Sequence, residues 1–395
     1  MLAFRLLFAS FILAVPALAA PSGKLGFVSA KGAQILNLQT GKVRSLPQSA
    51  NATALSISPW GTAIYFVPAV GTKPRDDGSG TPANGRQSLP PYSSAKLQPS
   101  LQNLMPFAMN WNSNGTTLYI STDTVNGAFT PAMGRFTTLK TLPASFDARG
   151  RKMAYSTENQ IIVRDVASRR DHVMFDIRKP EPMFAALRAA KYPKNVKDLL
   201  PDETGFLAKD VHNWQLSDPA LAPDGSRLYF TSNVGTGYGA AGNGEFALFA
   251  VDLKTNKLAV LSKVGELFGR PPHIFRVSPN GKRLMLASSV HNNAADNSCF
   301  VEIVDLLTQN SREVFLGVLP ATKDKANFLD SAVWSPDSKY VATSGYFYDT
   351  NKAMPDDNGD WPEVKSSQYT AAIVDAATGK SVKTIKGATS LNWMR

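Results

Sequence analysis

Few residues in this chain stand at the spacing that chemistry needs. There are four histidines, His172, His212, His273 and His291, and no two are placed as metal-ligand pairs. No G-x-S-x-G elbow offers a nucleophile. The Gly-rich stretch 233–245 runs from one apolar strand into another and not into a helix, which excludes a dinucleotide cradle. The best ion candidate is the run PDDNGDWPE, in which Asp356, Asn358 and Asp360 alternate like the first ligands of a calcium loop, with Glu363 nearby. The run reads as a polar turn held by local Asx hydrogen bonds, with calcium as the alternative, and no cofactor is expected. The single cysteine, Cys299, cannot form an internal disulfide and reads as a small core residue.

A second polar set emerges only once the elements that carry it are placed. The chain repeats a unit of apolar strand, tight turn and apolar strand. Copies are LSISPWGTAIYFV (55–67), MNWNSNGTTLYIST (109–122), ASFDARGRKMAYST (144–157), PALAPDGSRLYFTS (219–232), FRVSPNGKRLMLAS (275–288) and AVWSPDSKYVATS (332–344). The turns carry Pro, Asp or Asn in the middle and Gly at the end in five of six copies, the chemistry of a type I hairpin turn. Before each turn, the fourth residue back from its last position is Ile57, Trp111, Phe146, Leu221, Val277 or Trp334. The sixth back is Leu55, Met109, Ala144, Pro219, Phe275 or Ala332. Between them sit Ser56, Asn110, Ser145, Ala220, Arg276 and Val333. This period of two marks a strand with one strongly apolar face. The strands after the turns are near-continuously apolar and so covered on both sides.

Third and fourth strands follow in most copies, as in AQILNLQTGKVRSL (33–46) and TAAIVDAATGKSVKTI (370–385). Repeated four-stranded antiparallel units make an all-β propeller. The segment APSGKLGFVSA (20–30) supplies a second strand without a first, and TSLNW (389–393) supplies a first strand without a turn. Joined, they make one blade. The expectation is a seven-bladed β-propeller of four-stranded antiparallel blades, closed by pairing of the N- and C-terminal strands, with six or eight blades as alternatives. Intervals between turns of 38, 54, 35, 75, 56 and 57 residues exceed the ~40 of a plain blade, so most blades carry insertions. The weakest unit is 61–115, which includes a long loop at 71–105 rich in Gly, Pro and Ser.

The phrases AVWSPDSKYVATSG, APDGSRLYFTS and VSPNGKRLMLASS resemble the repeats of TolB-like, WD40-like (PD40-type) propeller proteins, and similar repeats occur in prolyl-oligopeptidase-type propeller domains. The resemblance implies a periplasmic propeller that binds partner proteins.

In such blades the first-to-second and third-to-fourth turns share one face of the disc. Here those turns are short. The other face collects 71–105, 233–245, 290–298, 346–368 and the connector 177–214, whose EPMFAALRAAKY reads as a helix. Strand starts place Asp218, His273, Asp330 and Asn392 at the axial mouth on that face, a polar set suited to a peptide or small ligand. The expected function is therefore protein binding through the long-loop face, with a lactonase-like hydrolase using an ion at the axial mouth as the alternative.

Residues 1–19 read as a secretory signal: Arg5, an apolar run, then Ala17 and Ala19 at cleavage spacing, with no lipid-attachment cysteine after them. Residues 20–395 read as one propeller domain, periplasmic or secreted and monomeric. The net charge of +11 is spread along the chain and densest at ASRRD, a solvated surface and not a nucleic-acid patch. The partner expected is a protein of the envelope or extracellular space, with no membrane span.

Overall fold

The computed structural model describes residues 21–47, 49–50, 52, 54–59, 61–68, 85–88, 108–121, 126–190, 216–233, 244–261, 267–269, 274–292, 296–314, 325–349 and 369–394. The expected signal segment lies outside them, as do most of the 71–105 loop and the second half of the 177–214 connector.

The strands form seven antiparallel sheets, numbered here in chain order. Sheet 1 joins Thr389–Met394, Lys24–Ser29, Gly32–Asn37 and Val43–Ser45. Sheet 2 joins Ala54–Ile57, Ala63–Pro68 and Gly85–Ser88. Sheet 3 joins Ala108–Trp111, Leu118–Ser121, Asn126–Thr130 and Arg135–Thr138. Sheet 4 joins Ser145–Phe146, Lys152–Ser156, Gln160–Asp165 and Asp171–Asp176. Sheet 5 joins Ala220–Leu221, Arg227–Asn233, Gly244–Asp252 and Lys257–Val260, with Leu267–Gly269 as an extra strand. Sheet 6 joins Ile274–Val277, Arg283–Asn292, Asp296–Asp305 and Ser311–Val314. Sheet 7 joins Lys325–Trp334, Tyr340–Asp349, Tyr369–Asp375 and Ser381–Lys386. Six sheets thus follow the four-strand path of a propeller blade. Sheet 2 has three strands among the described residues, and the stretch after it, 89–107, lies outside them.

Two turn types recur. In the first-to-second turn the end residue donates back three positions: Gly61 to Ser58, Gly115 to Asn112, Gly150 to Asp147, Gly225 to Ala222, Gly281 to Ser278 and Ser338 to Ser335. That end residue is left-handed in every copy, which is why Gly fills it five times and Ser338, at φ +62°, is the strained exception. In the third-to-fourth turn, Asn37, Asp165, Asp252, Asp305 and Asp375 each accept backbone N–H bonds with one side-chain oxygen, for example from Lys254 and Thr255 to Asp252. These bonds hold the Asp165, Asp252 and Asp305 carboxyls below the usual carboxylate range.

The apolar cores lie between neighbouring sheets, as propeller packing requires. Leu25, Tyr340, Ile373 and Leu391 fill the seam of sheets 7 and 1. Val28, Leu55, Ile57 and Tyr65 fill that of sheets 1 and 2, and Ile64, Leu118 and Phe129 that of sheets 2 and 3. Phe175, Phe230 and Phe249 stack between sheets 4 and 5. Met183, Phe184, Ala186 and Leu187 of the helix Glu181–Ala190 close the outer end of that seam. Sheets 1 and 2 pack closely at Gly26, where a Cβ would fall 2.2 Å from Ile57 Cδ1 and make that side chain shift.

The ring closes between the chain ends, as expected. Lys24 pairs with Met394, Leu25 with Trp393 and Gly26 with Asn392. Trp393 Nε1 also donates to Ser22 O at 3.3 Å.

Among the described residues, sheets 5 to 7 are taller than the others on one side. Their second strands have 7, 10 and 10 residues, against 6, 6, 4 and 5 in sheets 1 to 4. In sheet 6 the ladder continues from Arg283↔Asp305 to Asn292↔Asp296, and in sheet 7 from Trp334↔Val341 to Lys325↔Asp349. Four added rungs carry the backbone ~13 Å further, away from the short turns.

Candidate functional site in the axial channel

An innermost strand has one free edge, and its N–H and C=O groups need partners. Neighbouring sheets supply them from the position between the two apolar anchors. Asn392 of sheet 1 donates through Nδ2 to Leu55 O at 2.8 Å and accepts from Ile57 N at 3.2 Å, both on sheet 2. Ser145 of sheet 4 does the same to sheet 5, donating to Pro219 O at 2.7 Å and accepting from Leu221 N at 2.9 Å. The two sites are equivalent in the repeat. Ser331 of sheet 7 accepts from Leu391 N at 3.1 Å in a related way. Trp334 Nε1 reaches back to Arg276 O at 3.1 Å.

At the same position in sheet 6 stands Arg276. Its side chain does not stop at a neighbour. Nη1 donates to Ala144 O at 3.1 Å and Nη2 to Asn110 Oδ1 at 2.8 Å, which places it across the axis against sheets 4 and 3. Sheet 5 has the buried Ala220 at this position, packed with Phe275, Leu284 and Leu286 in the seam of sheets 5 and 6. Arg276 makes no ion pair within 4 Å among the described residues. Desolvation pulls its pKa below the usual guanidinium value, and the Asp218 charge opposes that pull. Asp218 is exposed and accepts a 2.8 Å bond from Ser156 Oγ of sheet 4.

Of the four residues expected at the mouth, Asp218 is exposed, bound to Ser156, and close enough for its charge to act on Arg276. Asn392 is committed to stitching sheet 1 to sheet 2, and no hydrogen bond joins it to Asp218 among the described residues. Asp330 sits on the first strand of sheet 7 at the bulge between Leu329 and Ser331. The side chain of Asp330 lies outside the described residues, as do all of His273 and the calcium candidates Asp356, Asn358 and Asp360. Among the described residues no three His, Cys, Asp or Glu gather as metal ligands. Sequence reasoning placed Arg276 at its repeat position but not across the ring. No signal in the local sequence pattern marks that reach.

Among the described residues, two grooves open on the short-turn face. The first, about 420 Å³, lies between sheets 3 and 4 with Tyr119, Phe146 and Met153 as walls and Arg164 and Arg169 at its rim. Arg164 is bound to both oxygens of Asp171 at 2.6 Å. The second, about 590 Å³, lies between sheets 5 and 6. Both draw residues from first-to-second and third-to-fourth turns, so the two turn types do share one face.

No protein-family description matches the chain, and no curated protein does. Among solved structures it is similar to the β-propeller domain of Cps50 (Swd1) from Myceliophteria thermophila, at 11% identity and TM-score 0.45, over 87% of this chain and 89% of that one. It is similar to a putative TolB from Agrobacterium tumefaciens at 12% identity and TM-score 0.41, over 77% and 87%. It is similar to oligogalacturonate lyase from Vibrio parahaemolyticus at 11% and 0.44, over 85% and 73%. These matches do not separate binding from catalysis.

Proposed function

We propose that this propeller is an extracytoplasmic binding module that holds a protein partner on the face where sheets 5 to 7 rise above the ring. The observation that carries the reading is the one-sided height of those sheets. Pairing in sheets 6 and 7 runs about four rungs beyond that of sheet 1, and always away from the short turns. A wall of paired backbone on a closed ring is a rigid platform, and rigid platforms bind with little ordering cost. The secretory pattern of residues 1–19 supports the location. Among the described residues no helix is long and apolar enough to cross a membrane. The test is crosslinking in intact cells followed by identification of what is captured. A reproducible protein partner is expected. Capture of none, together with turnover of a small molecule by the purified chain, overturns the reading in favour of the hydrolase alternative.

A further inference from the structure

We propose that Arg276 is the recognition cation of an axial site that binds a carboxylate. The site lies inside the ring and does not depend on the partner face proposed above.

A guanidinium carries five N–H donors in a planar fork. Two of those on Arg276 are used, by Ala144 O and Asn110 Oδ1, and both acceptors are neutral. The other three have no acceptor among the described residues. The amide N–H groups of Asn110 add two more, neither given to an acceptor among the described residues. A charge carried away from water into a channel is costly unless it meets an opposite charge with hydrogen bonds. Asp218 acts on Arg276 from beyond ion-pair distance and is itself turned toward Ser156. The arrangement is therefore rich in donors and positive, with the exposed Asp218 nearby. An acceptor-only anion with two oxygens fits it, because a carboxylate matches the guanidinium fork in two parallel bonds.

The carboxylate could be that of a small free acid or the C-terminus of a peptide. The probes are succinate, the tripeptide Ala-Ala-Ala and its C-terminal amide, each titrated calorimetrically into the full chain at ionic strength matched with chloride. Saturable binding of succinate or the tripeptide is expected, and not of the amide. Binding of succinate alone assigns the site to small acids, and binding of the tripeptide alone to chain ends. Arg276→Lys, which keeps the charge but loses the fork, should weaken binding at least tenfold. Asp218→Asn keeps an acceptor for Ser156 and removes a repelling charge, so it should tighten binding severalfold. This gain is one that a merely structural Arg276 would not produce. No saturable binding of any carboxylate by the wild-type chain, or equal binding by Arg276→Lys, overturns the proposal.

Discussion

Removing residues 389–395 takes away the innermost strand of sheet 1, and the loss can be worked from its contacts. Leu391 is 3% exposed, and burying a leucine contributes ~2–3 kcal/mol. Half-buried Trp393, packed against the seam of sheets 7 and 1, adds ~1–2 kcal/mol. The ladder to Lys24–Val28 and the two bonds from Asn392 to sheet 2 contribute about 0.5–1.5 kcal/mol each. Over the four rungs and two bonds the sum is roughly 6–14 kcal/mol, as large as the whole stability of an ordinary domain, ~5–15 kcal/mol. The truncated chain should therefore be unfolded or barely folded at 25 °C. Leu391→Ala gives a graded version, expected to cost ~3 kcal/mol. Urea titration followed by far-UV circular dichroism, with limited proteolysis as a second probe, measures both. A truncated chain whose stability stays within ~1 kcal/mol of the full one would refute closure by the terminal strand.

Three further outcomes follow from the same geometry. Ser145→Ala should lose ~1–2 kcal/mol with an unchanged urea m-value, because it strips Leu221 N and Pro219 O of their partner without opening the ring. Arg169→Gly should raise stability by ~0.5–1 kcal/mol in thermal unfolding, since Arg169 is exposed and held at φ +57°. The carboxyls of Asp165, Asp252 and Asp305 have folded pKa values below the unfolded value of ~3.9. Their contribution is fully present above that pH and is lost as pH falls toward the folded values, so the melting temperature should drop below pH ~4. Changing all three to Asn, the residue that already does this at position 37, should keep the turns and flatten that drop in melts taken across pH.

The fold was legible because its unit is local. Type I turn chemistry and the alternation of Leu55 with Ile57, or Ala332 with Trp334, sit within a few residues of each other. The half phrases at the two ends announced their pairing by what each lacked. The helix Glu181–Ala190 was also readable, through its apolar spacing. Other features need distances that no local pattern holds. Arg276 reads as one residue in an inner strand until the ring brings Asn110 and Ala144 opposite it. Asn392 looked like a ligand at the mouth because its type and position fit one, but the free edge of sheet 2 claims its amide. The height of sheets 5 to 7 was hidden for another reason. Their extra rungs, such as His291↔Asn297 and Asn292↔Asp296, are polar and loop-like in composition and pair only because the strands below them already do.

The measurement closest to the central claim shortens the raised hairpin of sheet 6. Replacing residues 289–299 with a two-residue turn removes the projecting rungs and leaves the pairing of Arg283–Ser288 with Phe300–Asp305. The account predicts that the shortened chain keeps its melting temperature within a few degrees and no longer captures its partner in cells. Substitutions at Thr40, Lys254 and Thr378 on the short-turn face should leave capture intact. Capture that survives the shortening but fails on those turn substitutions would put the partner on the opposite face and contradict the account.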